Sequence, residues 1–190
     1  MALTLATATI TLQTKHPFII ARGGRSAYEV VWARLTDADG VEGWGEASPS
    51  SYYGENTETV LATLTTLAGH LPKDPFDLEA AERRFERVVP KNGAARAALS
   101  GALHDLVGKR LGQPLWRLWG LDPMQAPQSS YTIGIDTPEK LRVKVQEAAD
   151  YPILKIKLGT DHDEDLLRTI RAVTDKPIRV DANAGWTRER

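Results

Sequence analysis

Two lysines stand one residue apart in the stretch ILKIKLG, Lys155 and Lys157, and one strand-helix unit further on comes Asp181, with Asn183 two residues behind it. Successive side chains on a strand alternate between faces. Both ammonium groups therefore leave one side, which Ile153 shares, while Leu154, Ile156 and Leu158 line the other. Two ammonium groups held close and partly out of water disfavour each other's charge, so that one can serve as a base near neutral pH. A hard divalent cation such as Mg²⁺ needs oxygen ligands, which Asp181 can begin to supply, and would stabilise negative charge developing on a substrate carboxylate. Proton removal next to a carboxylate is difficult because of that charge, so base and metal form a coherent pair.

Taken singly, each of these residues has a plainer reading. A Lys-x-Lys strand also describes a solvated sheet edge. Asp181 could be the N-cap of a following helix, and Thr132 an ordinary β-branched strand residue. Arg22 and Arg25 could be solvated loop charges. The four histidines, His16, His70, His104 and His162, show no metal-ligand spacing; His104 reads as a helix-packing residue. Tyr52, Tyr53, Trp116 and Trp119 read as packing or loop anchors. GTDHDED is acidic, but without calcium-loop spacing it reads as the capped, negative first turn of a helix.

The elements around the lysines give them a place. SYTIGI is a short strand; TPEKLRVKVQEAAD is a helix with Thr137 at its N-cap and Pro138 at its first position; YPILKIKL is a strand again. DHDEDLLRTIRAVT is a second helix and KPIRVDAN a third strand. This β-α-β-α-β rhythm predicts a parallel sheet with Thr132, Lys155 and Asp181 on successive strands, and such sheets handle ligands at the carboxyl ends of their strands. Upstream the texture differs. Leu3 to Gln13 and Ala27 to Thr36 have period two, DADG (Asp37 to Gly40) is a hairpin turn, and VEGWGEA is a third strand. Three helical stretches follow, Thr57 to Ala68, Leu78 to Val88 and Ala94 to Leu111, the last stopped by Gly112. The expected division is 1–125, a three-stranded meander plus helices, and 126–190, the start of a parallel α/β domain.

Composition narrows the partners. The 24 basic and 25 acidic residues nearly cancel, so neither nucleic acid nor an anionic membrane is favoured, and a small metabolite is the better expectation. No apolar run approaches the roughly 18 residues of a membrane span. The absence of cysteine suits a cytoplasmic enzyme.

LKIKLG followed by IRVDANAGWT resembles the enolase superfamily, and within it the dipeptide epimerases of the L-Ala-D/L-Glu type in the muconate-lactonizing subgroup. EGWGEASPSSYYGE and ALHDLVGKRLGQPLWRLWG are similar to the capping domain of those enzymes, so the resemblance covers the whole chain. It implies an α+β capping domain followed by the first strand-helix units, about three strands, of an incomplete (β/α)8 TIM-type barrel. It implies Mg²⁺ as cofactor, a dipeptide as substrate and a homo-oligomer at full length. Residue by residue, it implies that Lys157 is the acid/base lysine, that Lys155 contacts the substrate carboxylate and tunes Lys157, and that Asp181 is the first metal ligand. Thr132 in YTIGI and Arg22 in PFIIARGG would contact substrate.

The family's site also needs two acidic ligands on the fourth and fifth strands and a lysine on the sixth, which these residues do not reach. The sequence is therefore expected to be an amino-terminal part of an epimerase, with GWTRER opening a further helix. By itself it is expected to be inactive, to bind Mg²⁺ weakly and to self-associate through its third strand. Lys-x-Lys equally serves o-succinylbenzoate synthase and muconate cycloisomerase chemistry, and a non-catalytic truncated module is the reading from a different class.

Overall fold

The computed structural model describes residues 2–188. It divides into two compact units: the chain up to Leu12 with Tyr28–Met124, and Gln13–Ala27 with the chain from Gln125 onward.

The first unit is built on strands β1 (Thr4–Ile20), β2 (Gly23–Thr36) and β3 (Glu42–Ala47) in the order β1-β2-β3. β2 and β3 run antiparallel, from Val31 opposite Ala47 to Thr36 opposite Glu42. Their connection is tied by Asp37, whose Oδ1 accepts the backbone N–H groups of Asp39 and Val41 at 2.9 Å each, with Gly40 at φ 81° supplying the left-handed turn residue. Three helices cover one face: α1 (Thr57–Ala68), α2 (Leu78–Val88) and α3 (Gly93–Leu111). Alternation on β2 sends Val31, Ala33 and Leu35 into a core with Leu64, Leu67, Phe85, Leu99, Leu103 and Leu106. α3 runs close against β3, where Cβ atoms at Gly43 and Gly45 would collide with the carbonyl oxygens of Ala102 and Ala98. Gly112, in the left-handed conformation, ends α3, and the short helix α4 (Leu115–Leu118) follows.

The first two strands are longer than the period-two pattern indicates. Pro17 and the Gly23-Gly24 pair mark a loop by composition, yet β1 runs through Pro17 and turns at Ala21 and Arg22 straight into β2. β1 is an edge strand, so the missing N–H of Pro17 need not break a ladder, and Gly23 takes φ 120° at the turn. The far end of this hairpin, Gln13–Ala27, belongs to the second unit.

In the second unit, β4 (Ser130–Ile133), α5 (Pro138–Glu147), β5 (Ile153–Lys157), α6 (Asp163–Arg171) and β6 (Ile178–Asp181) alternate. The strands pair in parallel in the order β4-β5-β6. One face is apolar: Ile133, Leu154, Ile156 and Leu158 pack with Leu141, Val145, Leu166 and Ile170 from the two helices, as crossover helices require. The expected helix at GWTRER extends into residues 189 and 190, outside the described residues; Trp186 and Thr187 are irregular.

Candidate functional site

The other face of the parallel sheet is polar, and strand register assembles it. Thr132 lies opposite Lys155, Lys155 opposite Arg179, and Lys157 opposite Asp181. Register partners on parallel strands share a face, so Thr132, both lysines, Arg179 and Asp181 lie on the side away from the helices. Lys155 Nζ and Lys157 Nζ each approach Asp181 Oδ2 at 2.8 Å, and Asp181 Oδ1 accepts the Asn183 N–H at 2.9 Å. The Lys157 side chain is 8% exposed and that of Lys155 37%: one amine is enclosed and the other opens to solvent. The ammonium of Lys155 first, then that of Lys157 and the Asn183 N–H, hold the Asp181 carboxyl far below the usual carboxylate range.

The lysines therefore do not simply face each other. A carboxylate bridges them, and the three groups together carry one net positive charge, well suited to an anionic ligand. The loops at the carboxyl ends of β5 and β6 are tied by Asp163, the first residue of α6. Its carboxylate accepts the N–H groups of Gly159 and Thr160, the Thr160 hydroxyl and, at 2.8 Å, the Trp186 indole N–H. Burial pushes that carboxyl up, but the Trp186 indole and these backbone donors outweigh it and hold it low. Asn183 and Ala184 both take positive φ, 49° and 61°, to turn the chain back after Asp181.

Four of the five expected residues come together on this face: Lys155, Lys157, Asp181 and Thr132. Arg22 lies at the exposed hairpin turn of the same unit, beside Ala21, whose side chain sits over Gly159 and Gly185. Arg179, which donates to the Ser130 hydroxyl at 2.8 Å, joins those four, and its spacing of two from Asp181 on a strand is the sequence signal that puts it on the same face. Phe18 has no such signal: its ring centre is 5.7 Å from Lys157 Nζ, and nothing near residue 18 in sequence indicates that. As a metal site the face is partial. Asp181 offers ionised, hard oxygens suited to Mg²⁺, and among the described residues no group of three or more His, Cys, Asp or Glu side chains could hold an ion.

An α+β unit preceding the first parallel strands of a helix-covered sheet, with the charged cluster at the strands' carboxyl ends, is the architecture of an enolase-superfamily capping domain followed by part of a barrel. Residues 4–120 match the mandelate racemase / muconate lactonizing enzyme, N-terminal domain family, and the chain belongs to that family. It is similar to the L-Ala-D/L-Glu epimerase of Bacteroides thetaiotaomicron, 44% identical over 176 residues that make up 92% of this chain and 46% of that protein. The L-Ala-D/L-Glu epimerase of Escherichia coli is 34% identical over 176 residues, 91% of this chain and 53% of that one. The crystal structure of a dipeptide epimerase from Cytophaga hutchinsonii, complexed with Mg and D-Ala-L-Val, matches with a TM-score of 0.89 at 29% identity, covering 100% of this chain and 54% of that chain. The chain spans about half the length of the curated relatives it matches. No helix among the described residues is long and apolar enough to cross a membrane.

Proposed function

We propose that the protein carrying this chain is a dipeptide epimerase of the L-Ala-D/L-Glu type, and that the face around Lys157 forms one side of its active site. The observation that carries this reading is the convergence of Lys155 Nζ and Lys157 Nζ on Asp181 Oδ2, each at 2.8 Å, at the carboxyl ends of parallel strands. The epimerase names of the relatives support it.

Lys157, enclosed and fixed, is the base on one face of the substrate. Its amine takes the proton from the carbon next to the substrate carboxylate, and the C–H bonding pair passes into that carboxylate as an enediolate. A conjugate acid on the opposite face then returns a proton to the carbon and inverts it. Lys155, the more exposed of the pair, meets the negative carboxylate. Thr132 beside it and Arg22 at the hairpin turn contact the rest of the substrate. Asp181 is the residue of this chain that would hold Mg²⁺, which when bound supplies positive charge against the developing enediolate.

The test is hydrogen exchange at the α-carbon. The protein carrying this chain, incubated with Mg²⁺ and L-Ala-L-Glu in D₂O, is expected to lose the glutamate α-proton signal in NMR and to accumulate the L-Ala-D-Glu epimer. Exchange with no dipeptide tried, in a folded and metal-saturated sample, would remove the dipeptide assignment.

A further inference from the structure

Phe18 belongs, by its position in Gln13–Ala27, to the same unit as the lysines, and several contacts fix the strand that carries it. The Ile135 N–H donates to the Ile19 carbonyl at 3.0 Å. Glu147 at the end of α5 binds Lys15 Nζ at 2.8 Å and His16 Nε2 at 2.7 Å. A glycine follows each parallel strand where the hairpin comes closest. A Cβ at Gly134 would stand 3.0 Å from Ile19 N, and Cβ atoms at Gly159 and Gly185 would each stand 2.7 Å from the Ala21 Cβ. Three side chains are thus absent where they would push the hairpin away.

What this docking delivers is an aromatic ring 5.7 Å from Lys157 Nζ. Lys155 and Lys157 share one carboxylate oxygen, yet Lys157 has given up far more water, at 8% exposure against 37%. A desolvated ammonium needs compensation. An aliphatic neighbour would exclude water and offer nothing back, whereas an aromatic face excludes water and attracts the cation.

We propose that Phe18 is a positioning residue for Lys157: its ring, held by the seat at Gly134, Gly159 and Gly185, keeps the Lys157 amine aimed and shielded at the strand end. The inference rests on the reading of Lys157 as the proton-transfer group, so the experiment has one arm that does not depend on it. In protein labelled with ¹³C-lysine, the ring current of Phe18 should displace the Lys157 ε-methylene protons upfield. Phe18→Leu, which keeps apolar bulk, should return them to the position of the other lysines, and Phe18→Tyr should retain the displacement.

In the D₂O assay, Phe18→Leu should slow exchange about five- to tenfold, in kcat and with KM unchanged. It should do so only for the epimer whose exchange Lys157→Ala slows, and Phe18→Tyr should restore most of the rate. Equal slowing of both epimers, or no slowing in a Leu variant that has lost the displacement, would overturn the positioning role. If no dipeptide exchanges even with the unaltered protein, the substrate reading fails, and the methylene shift alone decides whether the ring holds Lys157.

Discussion

Two ion clusters, one in each unit, pair charges in opposite proportions. In the first, one arginine serves two carboxylates: Arg110 on α3 binds both Asp37 and Asp39. The Asp37 side chain is fully buried, with Oδ1 taken by two backbone N–H groups and Oδ2 by the guanidinium. It staples the β2–β3 turn to the end of α3, and its acceptors are spent on the protein itself. In the second unit one carboxylate serves two lysines, and the excess charge is positive. Lys155 opens to solvent, where an anion can reach it. With the second cluster taken as the proposed site, the difference teaches how a structural ion pair can be told from a ligand-facing one: by which sign is left over, and whether the surplus faces an opening or a turn.

The glycines divide in the same way. Gly43 and Gly45 let a helix lie on a strand, so that the core closes; Gly134, Gly159 and Gly185 let a hairpin lie over strand ends, where the charged residues are. If the comparison holds, substitutions in the first set should cost stability, and those in the second should disturb chemistry.

The largest expected effect is at Lys157. Lys157→Ala should reduce α-proton exchange from one dipeptide epimer by roughly 10²- to 10⁴-fold, the span of a lost acid/base group, while the other epimer still exchanges. Deuterium incorporation followed separately for each epimer gives the answer, and equal residual exchange from both would take Lys157 out of the role. Next in size is Gly45→Ala. Its Cβ would be driven into the Ala98 backbone carbonyl, which cannot swing aside as a flexible side chain can, and a loss of about 3 kcal/mol in urea unfolding is expected. At Gly185 an added Cβ would meet the Ala21 Cβ at 2.7 Å, the Gly159 Cα at 2.8 Å and the Ala182 carbonyl at 2.9 Å, a shallower overlap than the 1.9 Å at Gly45, so Gly185→Ala should cost less stability but lose the Phe18 ring-current shift at Lys157. A Gly45→Ala protein as stable as its parent would break the comparison on the structural side.

Acid should act on both ion clusters. Burial pushes the Asp37 carboxyl up, but the Val41 N–H, Arg110 and the Asp39 N–H overcome it and hold it low; Asp181 is held low by Lys155 and Lys157. Each group has a folded value below its unfolded one, so its contribution is present above about pH 4 and drains away as pH falls through the folded value. Urea midpoints measured between pH 7 and pH 3 should therefore fall, and Asp37→Asn should flatten that fall for the first unit. An unchanged acid slope in Asp37→Asn would mean the Arg110 staple is not what acid releases.

Much of this was legible because it is local and periodic. The alternation of ILKIKL sends the lysines one way and Leu154, Ile156 and Leu158 the other, and α1 and α2 span the residues that their spacing indicates. The parallel order follows from the length of the β-α units. What stayed hidden depends on contacts distant in sequence. Pro17 and the paired glycines signal a loop by composition, and only an edge position with a docking seat turns them into strand. Phe18 meets Lys157 across most of the chain. Asp163 reads as a charged first turn, and indeed is one, but its bond to Trp186 has no sequence period. The two lysines suggest mutual repulsion when read alone; register with β6 places a carboxylate between them.

The smallest effect is expected at Ala184. Together with Asn183 it turns the chain back directly after Asp181, at φ 61°, where an L-residue other than glycine pays roughly 1–2 kcal/mol. Glycine removes that strain but brings more freedom to the unfolded chain, which takes back about 0.4–1 kcal/mol. Ala184→Gly should therefore raise stability by only about 0.5 kcal/mol, read as a small upward move in the urea midpoint at constant slope. The same substitution probes the site, since the Asn183 N–H that binds Asp181 Oδ1 depends on this turn. If the midpoint rises and exchange is unchanged, the turn is only a connection. If it rises while exchange slows for both epimers, the strained backbone is what holds Asp181 in place between the lysines, and the second unit has given up stability for that placement.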